Sequence, residues 1–397
     1  MNRTSTRITL YRLCLAIGLC TFASSVTAQE TFTWDDDPLG FEKDWVEHPA
    51  ISIEGEFTLQ WDHSDFNDSS GSSDELYLEG GIGLALDFSP NLSLGGTITF
   101  EPEEEVEIGE TRFFPSEGVF VEEINLSFEN DWFLFGGGKF SPAFGIAEDS
   151  GPGLYGGQIA EEYGLPEQWG LFTSMTIPGE WTGGRQRVSA SLFTKDTTFL
   201  SDSAIHSRGR TERSDGGPSN TGKLNSYQIN YDLFEVTAFE LPYANFHAAY
   251  RSAAPGDSES EREYGTSLGM SFPLVLRDSA MDTASGHFLE IQPMFEWTHF
   301  ENADGTDDLE RDYVTAGFDV FYGDWDFSMG YALSDTEAQD DQPGENLTAL
   351  STSLSYALFG PNGAMGLGYA NIDADDEPVE HRLGLFVSLE FAYLDRF

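Results

Sequence analysis

The chain is short of basic residues, cysteines and long apolar segments, and each shortage excludes a class of protein. Both cysteines, Cys14 and Cys20, lie within the first 28 residues, so a chain cleaved after Ala28 has no disulfide and no thiolate site. Nineteen lysines and arginines stand against 69 acidic residues, which excludes a general nucleic-acid binder. No stretch after residue 28 contains 18 consecutive apolar residues, so no membrane-spanning helix is predicted.

The first 28 residues have the pattern of a secretory signal peptide. Arg3, Arg7 and Arg12 come first without any acidic residue, and the apolar segment 13–26 follows. The small residues at 26–28 then predict cleavage before Gln29. A transmembrane anchor is the alternative, but the apolar segment is well short of the roughly 20 residues that a span needs. Removal of the three arginines would change the formal net charge of −50 to −53.

Residues 29–50 show no periodicity, and we interpret them as a periplasmic leader. From residue 51 onward apolar and polar residues alternate, as in Ile51, Ile53 and Phe57 against Ser52 and Glu54. A period of two indicates strands with one apolar face. Sixteen such runs occur, at 51–62, 76–88, 92–101, 123–128, 132–141, 169–177, 185–195, 224–233, 242–251, 263–276, 287–300, 311–322, 325–334, 346–358, 364–372 and 380–397.

The connections between these runs alternate between long and short. Long acidic connections such as 64–74, 102–117 and 301–310 alternate with tight turns such as Asn130-Asp131 and Gly323-Asp324. Two connections, near 234–241 and 277–286, are not tight. Sorting of loops by length is typical of outer-membrane barrels. We therefore predict an all-β fold over 51–397: a transmembrane antiparallel β-barrel of about 16 strands, with long external loops and shorter periplasmic turns.

Closure of a 16-stranded sheet leaves a water-filled interior, so the polar strand faces are expected to line a lumen. Aromatic residues near the strand ends, including Trp61, Trp132 and Trp297, fit the girdles at membrane interfaces. The alternative is edge packing in a soluble, secreted β domain.

The segment "VEEINLSFENDWFLFGGGKFSPAFGIAEDS" (121–150) carries a resemblance to a known family. Glu122-Glu123-Ile124, Gly138-Lys139 and Pro142-Ala143-Phe144-Gly145 resemble a strand pair of Gram-negative outer-membrane porins of the phosphate-selective and siderophore-porin type. That family has proline directly before phenylalanine, whereas this chain inserts Ala143. The close match covers about 30 residues.

The resemblance implies a water-filled channel for passive diffusion of small hydrophilic solutes, with siderophore or nutrient uptake as a possible use. It also implies an outer-membrane location in contact with lipid, a homotrimer, and a loop at 142–168 that folds inward, with a plain external loop as the alternative. The acidic composition favours a weak cation preference over anion selectivity, with acids that only hydrate the outer loops as the alternative. The candidate pore-lining or constriction residues are Glu101, Glu123, Lys139, Arg187, Lys195 and Glu290.

No enzymatic, cofactor or metal site is predicted. Gly265-Thr266-Ser267-Leu268-Gly269 matches the G-x-S-x-G pattern of hydrolases, but it lies inside an alternating run, whereas the hydrolase motif needs a turn from strand to helix. Walker, dinucleotide and zinc motifs are absent from the sequence. The functional alternative to a channel is a non-channel surface protein such as an adhesin, or a secreted soluble domain.

The final run, 381–397, alternates up to a terminal phenylalanine. Leu389, Phe391, Tyr393 and Phe397 resemble the signal that the barrel assembly machinery of the outer membrane reads, while Asp395 departs from it. Deletion of Phe397 should therefore lower the yield of membrane-inserted, heat-modifiable protein. Phe397→Tyr, which keeps an aromatic residue at the end, should leave this yield near that of the wild type. Unchanged insertion of the deleted form would contradict this interpretation.

Overall fold

The computed structural model describes residues 49–67, 71–104, 106–114, 116–179, 183–236, 243–276, 289–337, 344–358, 360, 362–375 and 377–396. The predicted signal peptide, residues 29–48 of the predicted leader, and Phe397 lie outside these ranges.

The described chain forms eighteen β-strands in one sheet, and two of them, β4 and β12, are only three residues long, which leaves sixteen barrel strands. Their bounds are β1 Ala50–Phe66, β2 Gly71–Ser89, β3 Leu92–Pro102, β4 Thr111–Phe113, β5 Glu117–Glu129, β6 Phe133–Phe140, β7 Gln168–Ile177, β8 Arg185–Lys195, β9 Ser226–Val236, β10 Ala244–Ala253, β11 Glu263–Ser271, β12 Leu274–Leu276, β13 Leu289–Glu301, β14 Glu310–Tyr322, β15 Trp325–Thr336, β16 Glu345–Ala357, β17 Gly363–Ala374 and β18 Glu380–Arg396.

The sheet closes on itself. Consecutive long strands pair antiparallel around the barrel, and β1 pairs with both β2 and β18. The closing register runs from Ala50 opposite Arg396 to Phe66 opposite Glu380. Every long strand among the described residues therefore has two neighbours, which satisfies the backbone hydrogen bonds inside the sheet. The predicted antiparallel barrel of about 16 strands is confirmed.

The two faces of the barrel have opposite chemistry. On β16, Ser351, Ser353 and Ser355 are buried on the inner face, whereas Leu350 and Leu354 are 43% and 38% exposed on the outer face. The same contrast recurs on strand after strand, so the apolar residues lie outside and the polar residues inside. This arrangement is the reverse of a soluble fold and is typical of a barrel surrounded by lipid.

The connections differ from the sequence prediction in several places. β1 and β2 extend to Phe66 and Gly71, so most of the predicted loop 64–74 is strand. Within the predicted loop 102–117, β4 pairs in parallel with β2. The predicted run 263–276 is interrupted after Ser271, and its two parts, β11 and β12, both pair with β13. Residues 237–242 and 277–288, in the two connections that were not tight, lie outside the described residues.

Helices contribute very little to the fold. The structure places two one-turn helices, α1 Ala147–Ser150 and α2 Gln158–Glu161, in the connection between β6 and β7. Within the described residues, no helix combines the length and apolarity that crossing a bilayer requires.

Candidate functional site

Residues 141–167, between β6 and β7, fold into the barrel and pack on its inner wall. We call this segment the inward loop. One end of it contacts β9, where the Asn230 side chain donates a hydrogen bond to the Ala143 carbonyl oxygen at 2.8 Å. Farther along, the Tyr155 hydroxyl donates to Asp62 Oδ1 of β1 at 2.6 Å. The loop therefore folds inward and crosses the lumen, as the resemblance to porins implied.

Glu296 of β13 is the main polar anchor of the loop. Its carboxylate accepts hydrogen bonds from the Ile146 and Ala147 amides and from the Tyr163 hydroxyl. The Glu296 residue is only 1% exposed. Since a buried carboxylate is costly unless its oxygens are bonded, these three donors couple the position of the loop to the burial of the charge.

His247 of β10 holds the loop backbone beside this anchor. Its Nε2 lies 3.0 Å from the Phe144 carbonyl oxygen and its Nδ1 lies 2.6 Å from Asp232 Oδ1. Both partners are acceptors, so the geometry suits an imidazolium that donates from both nitrogens. His247 thus links a wall carboxylate to the loop.

An apolar cluster forms inside the barrel where the loop meets the wall. Phe144 and Tyr163 of the loop pack against Phe300 and Tyr313, with ring centroids 4.9 to 6.3 Å apart.

The Arg251 guanidinium lies 4.5 Å from the Phe144 centroid and 4.8 Å from that of Phe300. Arg251 also bonds the Tyr163 carbonyl and pairs with Glu263 at 2.9 Å, which neutralises its charge.

Two cross-strand glycine pairs create room for the middle of the loop. Gly317 of β14 lies opposite Gly330 of β15, and a Cβ on Gly317 would come within 2.7 Å of the Pro152 ring. Gly368 of β17 lies opposite Gly384 of β18, and Cβ atoms there would lie 2.8 to 2.9 Å from Leu154. A larger residue at these positions would push the loop off the wall.

Carboxylates lie on both sides of the space that the loop leaves open. Burial, together with Asp149, Glu161 and Glu122, raises the pKa of Glu148 to about 8. Enclosure of Glu161 by the barrel wall and the charge of Glu79 raise its pKa to about 7, although the side chain remains exposed to the lumen. Loop acids therefore face wall acids of β2 and β5.

A second long loop, residues 196–225, is tied to the first through buried ion pairs. Lys139 is fully buried, with its Nζ 2.9 Å from Asp196 Oδ2 and 3.2 Å from Glu167 Oε2. Arg208 pairs with Glu167 as well, and its guanidinium lies 3.7 Å from the Phe120 ring centroid. These basic groups therefore join two loops to the wall.

The six sequence-predicted lumen residues lie in different surroundings. Glu101 lies 4.0 Å from Arg208, and Glu123 is buried and accepts a hydrogen bond from the Ser141 amide at 3.0 Å. Lys139 is enclosed in the ion pairs above, and Lys195 donates to the Pro166 carbonyl at 3.2 Å.

The other two predicted residues lie on wall strands. The Arg187 guanidinium of β8 is 5.3 Å from the Phe234 ring centroid. Glu290 Oε1 of β13 accepts a hydrogen bond from Gln292 at 2.7 Å. In the described structure Glu101, Glu122 and Glu123 therefore form one acidic region, whereas Arg187 and Glu290 stand apart from it.

Three residues of the predicted assembly signal, Leu389, Phe391 and Tyr393, are exposed on the outer face of β18.

Sequence reasoning missed Glu122 as an inner-wall residue because alternation assigns adjacent residues to opposite faces. The β3–β5 register skips Glu122 between Val121 and Glu123, which is a β-bulge. Glu122 and Glu123 are 9% and 3% exposed, and Thr99 donates a hydrogen bond to Glu122 at 2.5 Å. A bulge can re-aim a side chain in this way. The adjacent acids Glu122 and Glu123 were the feature of the sequence from which this bulge could have been predicted.

The hydrolase-like motif lies within β11. Ser267 is fully buried and its hydroxyl accepts a hydrogen bond from Thr298 at 3.2 Å, so a strand occupies the place where an elbow would be needed. In the part of the chain that the structure describes, no group of three or more His, Cys, Asp or Glu side chains is arranged to hold a metal ion.

Comparisons with known proteins find similarity in structure alone. No protein-family model matches the chain, and no curated protein sequence matches it. A loop-deletion mutant of OmpT, an outer membrane protein of Vibrio cholerae, is similar over 86% of this chain and 99% of its own, with a TM-score of 0.53 and 11% identity.

Two further structures have the same fold. An anion-selective porin from Comamonas acidovorans is similar over 86% of this chain and 100% of its own, with a TM-score of 0.51 and 10% identity. OpdK from Pseudomonas aeruginosa, solved with vanillate, covers 86% and 99%, with a TM-score of 0.50 and 10% identity. The chain therefore has the barrel fold of these outer-membrane proteins.

Replacement of Glu296 by alanine should release the inward loop, because three donors lose a charged acceptor. The loss of docking free energy should be on the order of 3 kcal/mol. Limited proteolysis of the detergent-folded protein, followed by mass analysis of fragments cut within 141–167, measures this release. Glu290→Ala on the same strand is the matched control, and equal cleavage of both variants would contradict the anchoring role.

Docking of the inward loop should weaken as the pH rises from about 4.5 to 8. The docked state raises the pKa of Glu148 to about 8, so it favours the protonated side chain, and this preference is lost as the pH passes from about 4.5 to 8. Amide hydrogen exchange over 146–163, corrected for intrinsic rates, measures the effect. Glu148→Gln should flatten the profile, and an unchanged slope in that variant would exclude Glu148 as its source.

Proposed function

We propose that this protein is an outer-membrane channel of a Gram-negative bacterium for passive diffusion of small hydrophilic solutes. One observation carries the proposal: a closed barrel with a polar inner wall contains a loop docked across its lumen through Glu296, His247 and Asp62. A wide barrel narrowed by an internal loop excludes solutes by size and charge. The apolar outer face supports the membrane location.

A weak cation preference is the charge selectivity that we propose. Glu148 and Glu161 of the loop face Glu122 and Glu79 of the wall, so the negative charge of this passage, and with it the attraction of cations, grows as the pH rises through about 7 to 8. The basic groups Lys139, Arg208, Arg251 and Arg382 each pair with a carboxylate. Pairing of this kind leaves little positive field for an anion, which argues against a phosphate-selective type.

Reconstitution into planar bilayers tests both parts of the proposal. Stepwise conductance should appear, and a gradient of potassium chloride should give a reversal potential of the sign expected for cations. Glu122→Gln should reduce this preference because it removes an inner-wall charge, whereas Asp257→Asn, at an exposed acid of the loop after β10, serves as the control. Reversal toward chloride would contradict the cation preference.

Absence of any conductance step would instead favour a plugged barrel that acts as a surface protein or adhesin. If the barrel does conduct, liposome swelling with sugars and with ferric siderophores would define its solutes. Siderophore uptake is the use that we propose from the family resemblance.

We propose that residues 1–28 are removed on export, that the assembly machinery inserts the barrel, and that a homotrimer forms. A trimer form is described for OmpT of Vibrio cholerae. Cross-linking in native membranes distinguishes a trimer from a monomer.

A further inference from the structure

The second long loop, residues 196–225, differs in charge from the rest of the chain. It contains four acidic residues and four basic ones, Arg208, Arg210, Arg213 and Lys223. The whole chain has 19 basic against 69 acidic residues, and the predicted loop 102–117 has one basic residue against six acidic ones. Positive charge is therefore concentrated in the second long loop, so an anionic partner is repelled less here than elsewhere.

The acids of this loop are held by neighbouring donors. Asp202 Oδ1 accepts hydrogen bonds from a hydroxyl and two amides of the loop. Glu212 and Asp215 cap each other's amides in a short 3₁₀ turn. The fourth acid, Asp196, is paired with the buried Lys139. All four carboxylates therefore have donors in the loop or on the adjoining wall.

Three of the four basic side chains have no such acidic partner. Arg210 donates to the Thr197 carbonyl oxygen and Arg213 to the Thr221 carbonyl oxygen. Both arginines and Lys223 are exposed, and none of them belongs to an ion pair of the described residues. Since a guanidinium has five N–H donors, most donors of both arginines remain available to a partner.

The same loop exposes two large apolar side chains. Phe199 is 76% exposed and Ile205 is 74% exposed, whereas no other large apolar side chain in the described ranges exceeds 59%. The Arg210 guanidinium bonds the backbone of Thr197, two residues before Phe199, so positive charge lies next to the exposed ring. Adjacent arginine and aromatic groups suit a partner that is both anionic and apolar.

Contacts with the wall place this part of the loop on the outer side of the barrel. Lys139 shares the outward-facing side of β6 with Phe135, which is 57% exposed, and its Nζ donates to the Leu200 carbonyl oxygen at 2.9 Å. Trp169 lies opposite Lys139 on β7, and its Nε1 donates to Asp196 Oδ1 at 2.9 Å. A tryptophan at the outer end of a barrel strand is typical of the membrane interface. The loop therefore begins at the level of lipid headgroups.

An anionic lipid surface matches this combination. The protein as a whole is strongly negative, so contact with phosphate groups requires a local positive region. Arginine binds phosphate oxygens through paired N–H groups, and an aromatic ring favours the boundary between headgroups and acyl chains. A soluble acidic partner would use the arginines but would give no reason for the exposed Phe199 at the membrane interface.

From this arrangement we infer that the second long loop is a binding surface for phosphorylated, anionic lipids of the outer leaflet. Arg210 and Arg213 donate to the phosphate oxygens, Lys223 adds positive charge, and Phe199 contacts the acyl chains beneath the headgroup. The inference rests on the proposed outer-membrane location and goes beyond the proposed channel function, because it does not depend on conduction.

Native mass spectrometry of the folded full-length protein in a neutral detergent tests the inference. The probe is bisphosphorylated lipid A, and the same lipid with both phosphates removed is the matched comparison. The phosphorylated form should be retained at concentrations about tenfold lower or less, because only it offers acceptors to the arginines. Equal retention of the two lipids would overturn the inference.

Three variants locate the binding surface. Arg210→Gln combined with Arg213→Gln should weaken retention of bisphosphorylated lipid A by about tenfold or more. Phe199→Ser should weaken retention of both lipids by about threefold, since the ring contacts acyl chains. Arg185→Gln is the control, because it removes the same charge at the other end of β8, and it should change retention by less than about twofold.

Heat-modifiable mobility confirms that each variant is folded before the comparison. Equal weakening by the double variant and by Arg185→Gln would show general attraction without a binding surface. Loss of an oligomer in the double variant, with unchanged lipid retention, would assign the surface to a contact between copies of the chain. Displacement of lipid A by inorganic phosphate at millimolar concentration would show a site for the free ion, and each of these three results would overturn the inference.

Lipid retention is measured without any current, so its outcome is independent of the test of the channel. A barrel that retains lipid A in the expected pattern but does not conduct would refute the channel and leave the lipid-binding surface standing. A conducting barrel that retains neither lipid would do the reverse.

Discussion

The backbone hydrogen bonds between β1 and β18 leave none of the long described strands with an open edge. Closure forces each strand to present one face to the interior and one to the exterior, and with sixteen strands the interior is too wide for side chains alone to fill. Serines 351, 353 and 355 can therefore be buried on a wall, while Leu350 and Leu354 lie exposed on the outside. The polar lumen and the apolar outer surface both follow from this closure.

A wide polar interior also explains how the inward loop can be held. Its anchors are buried polar groups, above all Glu296 and His247, and each has partners that only the docked loop supplies. Such groups would be costly in an apolar core but are well satisfied where loop amides and carbonyls meet the wall. The aromatic cluster around Phe144 then adds apolar burial inside the barrel.

The loop makes the lumen asymmetric. Its docking contacts lie on β9, β10, β13 and the glycine pairs of β14–β15 and β17–β18, and they continue to Asp62 of β1. Basic side chains on the docked side are paired with carboxylates, as Arg251 is with Glu263. Acids of β2, β3 and β5, such as Asp87, Glu101 and Glu123, are concentrated on the other side. The charge seen by a solute thus depends on which wall the loop covers.

Most of the barrel could be predicted from the sequence because alternation is a local property. Ile51, Ile53 and Phe57 report the outer face of a strand without reference to any other segment, and the tight turn at Gly323-Asp324 fixes the hairpin of β14 and β15. The site was less predictable. Lys139 and Glu123 were identified as charged residues near the loop, but their partners could not be.

Contacts across the lumen depend on the pairing of strands that are far apart in the chain. Tyr155 meets Asp62 and Ala147 meets Glu296 over separations of 93 and 149 residues, which no periodicity encodes. The bulge that turns Glu122 inward depends on pairing with β3, and the glycine pairs become seats for Pro152 and Leu154 only in register. Local alternation and composition are enough to predict two strand faces and an acidic character. The contacts that shape the lumen arise only when the closed sheet brings distant strands together.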